Sequence, residues 1–190
     1  EKIVKIIIFF FKYGWCFGFG YFLFSLYWIA ISLTFDQNFK FLIPISIIAL
    51  PSFLSIFYGL ITYLFAIFYS RNLISSFFLF SLLFGTIEFV RGSIFTGFPW
   101  NLISFSFSNS IYFIQILSIV GSYSFNLICI SLFTVPALFI LRNSTKEIII
   151  CFSFILLTLT FLMFGKIRHD NFDSLESIKN PYKIKVISPN

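Results

Sequence analysis

Between residues 41 and 141 only three side chains are charged: Arg71, Glu88 and Arg91. Arg71 falls in a short turn. Glu88 and Arg91 stand three apart, a spacing that puts them on one helix face and lets them pair. An ionisable group at membrane depth is costly to keep there and is by default a candidate for function. The bland alternative is structural: near a helix end the two side chains snorkel and neutralise each other. The stretch that follows, Gly92-Ser93-Ile94-Phe95-Thr96-Gly97-Phe98-Pro99-Trp100-Asn101, combines glycine latitude, a turn fixed by Pro99 and an interfacial ring at Trp100. By residue type it is an aromatic loop at the membrane boundary, suited to touching lipid.

Nucleophilic and metal chemistry have poorer material. Cys16, Cys129 and Cys151 lie inside apolar runs, with no CxxC pair and no neighbouring histidine, and read as buried, inert thiols. A nucleophilic thiol needs a nearby base. The lone His169 sits in a polar stretch beside no cysteine and reads as a solvated linker residue. No cofactor and no metal site is expected.

The elements that must position these residues follow from composition. Apolar residues make up 59% of the 190 and charged residues 11%, with a mean hydropathy of +0.99. A soluble domain sits near 45–50% apolar and about 25% charged, so a water-soluble globule, a disordered tail and a disulfide-stapled miniprotein are excluded. The 32 phenylalanines reflect A/T-rich coding and say nothing about chemistry. The net charge of +6 is scattered singly between apolar runs, which argues against nucleic acid and for charges that orient helices in a membrane.

Charge-free windows define an all-α membrane bundle of about five spans, near 13–35, 41–70, 72–91, 111–141 and 148–165. The first window holds 23 residues, about 34 Å as a helix and enough to cross a hydrocarbon core of about 30 Å. Residues 92–110 read as a loop, because Gly97, Pro99 and the cluster Ser104, Ser106, Ser108, Asn109, Ser110 interrupt any helix. The chain divides into a helical membrane domain over 1–165 and a polar stretch over 166–190. Within the latter, Tyr182 to Ile187 reads as a strand after the breaker Asn180-Pro181. A single strand has no core to bury, so the chain reads as a fragment cut at a domain boundary. Its first residue, Glu1, predicts missing residues upstream, and the short run Ile6 to Phe11 with no cleavage site argues against a signal peptide.

Six basic residues (Lys2, Lys5, Lys12, Arg71, Arg142, Lys146) fall on one side of five spans, and only Lys40 and Arg91 on the other if the tail is set aside. The positive-inside rule then places the N-terminus in the cytoplasm, the tail outside, and Glu88 and Arg91 near the outer surface.

A family resemblance enters on these residues. Glu88-Phe89-Val90-Arg91-Gly92 followed by Thr96-Gly97-Phe98-Pro99-Trp100 resembles the membrane-domain signature of bacterial apolipoprotein N-acyltransferases. Gly14-Trp15-Cys16-Phe17-Gly18-Phe19-Gly20 with Trp28, and Gly121-Ser122-Tyr123-Ser124-Phe125, are similar to that family's glycine-rich span and small-residue segment. Ile184 to Asn190 resembles the first strand of its α/β nitrilase-like domain. The resemblance implies an inner-membrane enzyme of eight spans with a periplasmic nitrilase-like domain. It would move an acyl chain from a phospholipid donor to the α-amine of a diacylglyceryl-cysteine on a lipoprotein acceptor. The glutamate, lysine and cysteine of that chemistry belong to the nitrilase-like domain, so no catalytic residue is expected here and the chain alone is expected to be inactive. Glu88, Arg91, Gly97, Phe98, Pro99 and Trp100 are the substrate-binding candidates the resemblance implies.

Two other readings stay open. A transporter or channel subunit would show internal repeats and helices broken at mid-membrane, and no repeat is found. A non-catalytic membrane remnant would lack a reading frame beyond Asn190.

Overall fold

The computed structural model describes residues 2–94 and 101–175, with side chains from residue 5 onward. Its α-helices are α1 (Lys2–Leu26), α2 (Ile29–Ser32), α3 (Ile43–Phe68), α4 (Leu73–Ile94), α5 (Ile111–Ile114), α6 (Leu117–Val120), α7 (Ser122–Ile140) and α8 (Thr145–Asp173), with 3-10 turns at Gln37–Leu42 and Ile103–Phe107. Among the described residues there is no strand; the expected strand near 182–187 lies outside them. Five helical stretches are long and apolar enough to cross a membrane: Lys5–Leu26, Gln37–Phe68, Leu73–Ile94, Ser122–Ile140 and Thr145–Asp173. This is a multi-pass, all-α membrane protein.

Several expected boundaries move. The first span starts well before residue 13, and the last reaches Asp173 rather than 165, because a helix does not stop at a lysine whose stem can carry its charge to the interface. The expected helix over 111–141 is overturned. Only Ser122–Ile140 is a span; before it, α5 and α6 are single turns, and Gly121 stands between α6 and α7 at φ +75°, ψ 168°. That conformation is essentially open to glycine alone, so the chain changes direction there.

Neighbouring spans pack antiparallel. Glycines Gly14 and Gly18 let α1 lie directly on α3: a Cβ on Gly14 would fall 2.4 Å from the Tyr58 carbonyl oxygen, and one on Gly18 2.8 Å from Tyr58 Cβ. Close approach through small residues is how membrane helices gain contact without a hydrophobic driving force. Trp15 Nε1 donates to the Ser52 carbonyl at 3.1 Å across the same seam. Phe22, Leu54, Tyr58, Ile61, Phe84 and Ile130 then close a core shared by α1, α3, α4 and α7. A second core joins Phe113 of α5, Phe125 and Cys129 of α7 and Phe161 of α8. The far face of α8 carries Phe152, Leu156, Leu159 and Met163, each more than half exposed, as a lipid-facing stripe.

The described part of the expected loop is partly enclosed: Leu102 and Ser104 are buried while Phe105 and Ser106 stay exposed. Leu102 is fully buried, and the ring of Phe107 lies 4.3 Å from that of Phe113 and 5.6 Å from that of Phe133 on α7. Residues 102–107 turn back into the bundle. Irregular backbone at membrane depth is tolerated only where protein buries it, and here the helix ends do so.

Candidate functional site

Glu88 and Arg91 occupy the last two turns of α4, one helical turn apart as their spacing requires. They lie at the end of the bundle that also holds Leu26 of α1 and Ser122 of α7, opposite Arg142. Neither snorkels: both residues are fully buried. Arg91 Nη2 stands 3.4 Å from Glu88 Oε1. The Tyr58 hydroxyl of α3 donates to the same oxygen at 2.9 Å. Asn126 of α7 donates its Nδ2–H to the other oxygen, Oε2. The carboxyl group thereby ties three spans together, and both of its oxygens are engaged.

The network continues into the re-entrant stretch. Asn126 Oδ1 accepts from the Ser104 backbone N–H at 2.9 Å, so one buried amide both donates to Glu88 and holds the backbone of the 3-10 turn. The Tyr21 hydroxyl of α1 donates to the Asn101 carbonyl at 3.0 Å. Gly92 makes room for Tyr123, whose hydroxyl oxygen would sit 2.1 Å from a Cβ placed there. Backbone groups that leave a helix inside hydrocarbon must find partners in the protein, and Asn126 and Tyr21 supply them.

Arg91 is less completely used. Its Cζ lies 5.3 Å from the Phe22 ring centroid, a cation–π distance. Its Nε and Nη1 find no acceptor among the described residues. A buried guanidinium with open donors suits an anionic or carbonyl group. Nothing in the cluster is a nucleophile, so what it can do is hold backbone and offer the unused Arg91 donors.

Gly97, Phe98, Pro99 and Trp100 lie outside the described residues. His169 stands on α8, with Nδ1 2.9 Å from Asp173 Oδ2, and so belongs to a helix rather than to a linker. Cys129 and Cys151 are buried while Cys16 is exposed on α1, which corrects the expectation that all three are enclosed. Among the described residues no three His, Cys, Asp or Glu side chains gather as a metal site would require.

Comparison with known proteins bears on the same segment. Residues 8–135, which contain every side chain of the cluster, match the family described as apolipoprotein N-acyltransferase N-terminal domain. The chain belongs to that family. It is 35% identical over 137 residues to the apolipoprotein N-acyltransferase of Rhizobium etli, covering 72% of this chain and 26% of the relative. To that of Rickettsia typhi it is 35% identical over 158 residues, covering 83% and 32%. To that of Brucella melitensis it is 34% identical over 128 residues, covering 67% and 24%. The chain thus spans between about a quarter and a third of the length of the curated relatives it matches. No solved structure matches it.

Sequence reasoning found Glu88 and Arg91 but missed Tyr58 and Asn126. Asn126 had a signal, being the one amide in an uncharged span, where a polar side chain calls for a partner. Tyr58 had none, as one of nine tyrosines.

Proposed function

We propose that the chain is the membrane portion of an apolipoprotein N-acyltransferase. In this reading the whole protein transfers an acyl chain from a phospholipid to the N-terminal diacylglyceryl-cysteine of a lipoprotein. The thioester chemistry resides in a nitrilase-like domain whose first strand falls within the 166–190 stretch, and this chain alone transfers nothing. The protein sits in the bacterial inner membrane, with its N-terminus cytoplasmic and residues 166–190 periplasmic. Glu88, Arg91 and the Gly97-Phe98-Pro99-Trp100 segment form the membrane side of the substrate site.

The observation that carries this is the family match over residues 8–135. It is supported by a buried arginine two of whose donors have no acceptor among the described residues, at the bundle end opposite Arg142. Membrane enzymes keep buried ionisable groups where they serve a site or hold its shape.

A chimera tests the reading. Residues 8–135 replace the matching segment of the Rickettsia typhi relative, and membranes are assayed with a phospholipid donor and a diacylglyceryl-peptide acceptor. Retained transfer is the expected result. A chimera that inserts and accumulates normally yet transfers nothing would overturn the assignment. The same assay on the 190-residue chain is expected to show no turnover, and acyl-thioester on Cys16, Cys129 or Cys151 would relocate the chemistry.

A further inference from the structure

The Glu88–Arg91 pair is closed less strongly than its chemistry allows. A carboxylate and a guanidinium commonly meet through two parallel N–H···O bonds. Both groups here are fully buried, where such a pairing gains most from the low dielectric. Arg91 nevertheless reaches Glu88 through Nη2 alone, 3.4 Å from Oε1, and its Nε and Nη1 have no acceptor among the described residues. A buried donor left unspent carries the full cost of its desolvation. The neighbours of the carboxyl group show what turns it away. Oε2 is drawn toward α7 by the Asn126 Nδ2–H, and Oε1 is shared between Arg91 and the Tyr58 hydroxyl of α3. The Asn126 amide is itself fixed at both ends. A carboxylate only accepts, and the Ser104 backbone N–H, 2.9 Å from Asn126 Oδ1, only donates, so one orientation of the amide satisfies both.

We propose that Asn126 is a positioning residue that acts through Glu88 on Arg91. By holding Oε2 toward α7 it limits the ion pair to a single N–H···O bond, so that two guanidinium donors in the last two turns of α4 stay free for a substrate oxygen. This rests on the reading that Arg91 belongs to the membrane side of the substrate site. The phospholipid donor carries the matching acceptor, since a phosphate takes two guanidinium N–H groups as a carboxylate does. Without Asn126 the Glu88 carboxyl group turns, Oε2 takes Arg91 as well, and the pair closes on itself. The fold then keeps its ion pair and loses its open donors, which separates this role from one of packing alone.

Two measurements test this. The first is NMR of the 190-residue chain in detergent micelles, isotopically labelled in its arginine side-chain nitrogens, with the Arg91 signals identified by their loss in Arg91→Lys. In Asn126→Leu one of the two open N–H groups, Nε or Nη1, is expected to shift downfield as it takes up Oε2. Its exchange with water is expected to slow roughly tenfold, the lower end of what a hydrogen bond to a charged group is worth. Tyr58→Phe removes the competing donor on Oε1 but leaves Oε2 held, so the same two signals are expected to stay in place. Asn126→Ser, whose hydroxyl is too short to reach Oε2, keeps the test open if Asn126→Leu fails to fold. The second measurement uses the Rickettsia typhi chimera, which carries all four residues. There Asn126→Leu is expected to raise KM for the phospholipid donor roughly tenfold with kcat changed by less than about twofold, the pattern of lost uniform binding. Arg91 signals unmoved in both Asn126 variants would overturn the proposal, and so would an active chimera whose donor KM ignores Asn126→Leu. An unsubstituted chimera that transfers nothing would instead fail the acyltransferase reading, and the Arg91 signals would then decide the role of Asn126 by themselves.

Discussion

Glu88→Gln isolates what the buried cluster is worth. The change keeps the side chain's shape and removes its charge, leaving Arg91 fully enclosed without its partner at 3.4 Å. It also turns one carboxyl oxygen into a donor, and both oxygens now accept: Oε1 from Tyr58 and Arg91, Oε2 from Asn126. One of these donors must therefore face another donor. Removing one partner of a buried pair costs about 3–5 kcal/mol, whereas single hydrogen bonds between membrane helices average only about 0.6 kcal/mol. The expected loss is about 3 kcal/mol, or roughly 150-fold in the folding equilibrium. Reversible unfolding in mixed micelles of mild detergent and SDS measures it. Replacing both residues, as Glu88→Gln with Arg91→Leu, is expected to recover at least half of that loss, because no unpaired charge stays inside. A single-variant loss under about 0.5 kcal/mol, the scale of an exposed pair, would refute the reasoning. So would a double variant whose loss equals the sum of the two single ones.

Further outcomes follow from particular positions. Gly121→Ala is expected to destabilise by about 1–3 kcal/mol, because φ +75° with ψ 168° lies in a region that residues with a Cβ avoid; thermal unfolding in detergent reads the shift. Gly18→Leu drives a side chain into Tyr58 Cβ, 2.8 Å from the position of its own Cβ, and is expected to cost about 1–3 kcal/mol as overpacking, with a matching loss of folded yield. Asn143→Cys and Asn171→Cys, both exposed near opposite ends of α8, are expected to react with an impermeant maleimide from opposite sides of the membrane once the native cysteines are replaced. Labelling of both from one side would mean that α8 does not cross.

The spans and the pairing within α4 were legible in the chain itself. Hydropathy reports membrane helices because every backbone group in hydrocarbon must be satisfied within its own helix, so a long apolar run is a sufficient signal. The i,i+3 spacing of Glu88 and Arg91 is local geometry, complete within one helical turn. What the tertiary structure decided is distant in sequence. Tyr58 reaches Glu88 across 30 positions and Asn126 across 38, distances set by how α3, α4 and α7 pack. The same packing decided the 102–107 stretch. Its serines and neighbouring breakers describe a loop equally well at the surface or inside, and the burial of Leu102 and Ser104 depends on Asn126 accepting from the Ser104 backbone and on Tyr21 donating to the neighbouring Asn101 carbonyl. Gly121 shows the limit most plainly. Glycine is common inside membrane helices, so its presence in an apolar window does not mark a break. Its positive φ exists because α5 and α6 are held against α7 and α8, among them Phe113 against Phe125 and Phe161, an arrangement that no local pattern in residues 111–141 encodes.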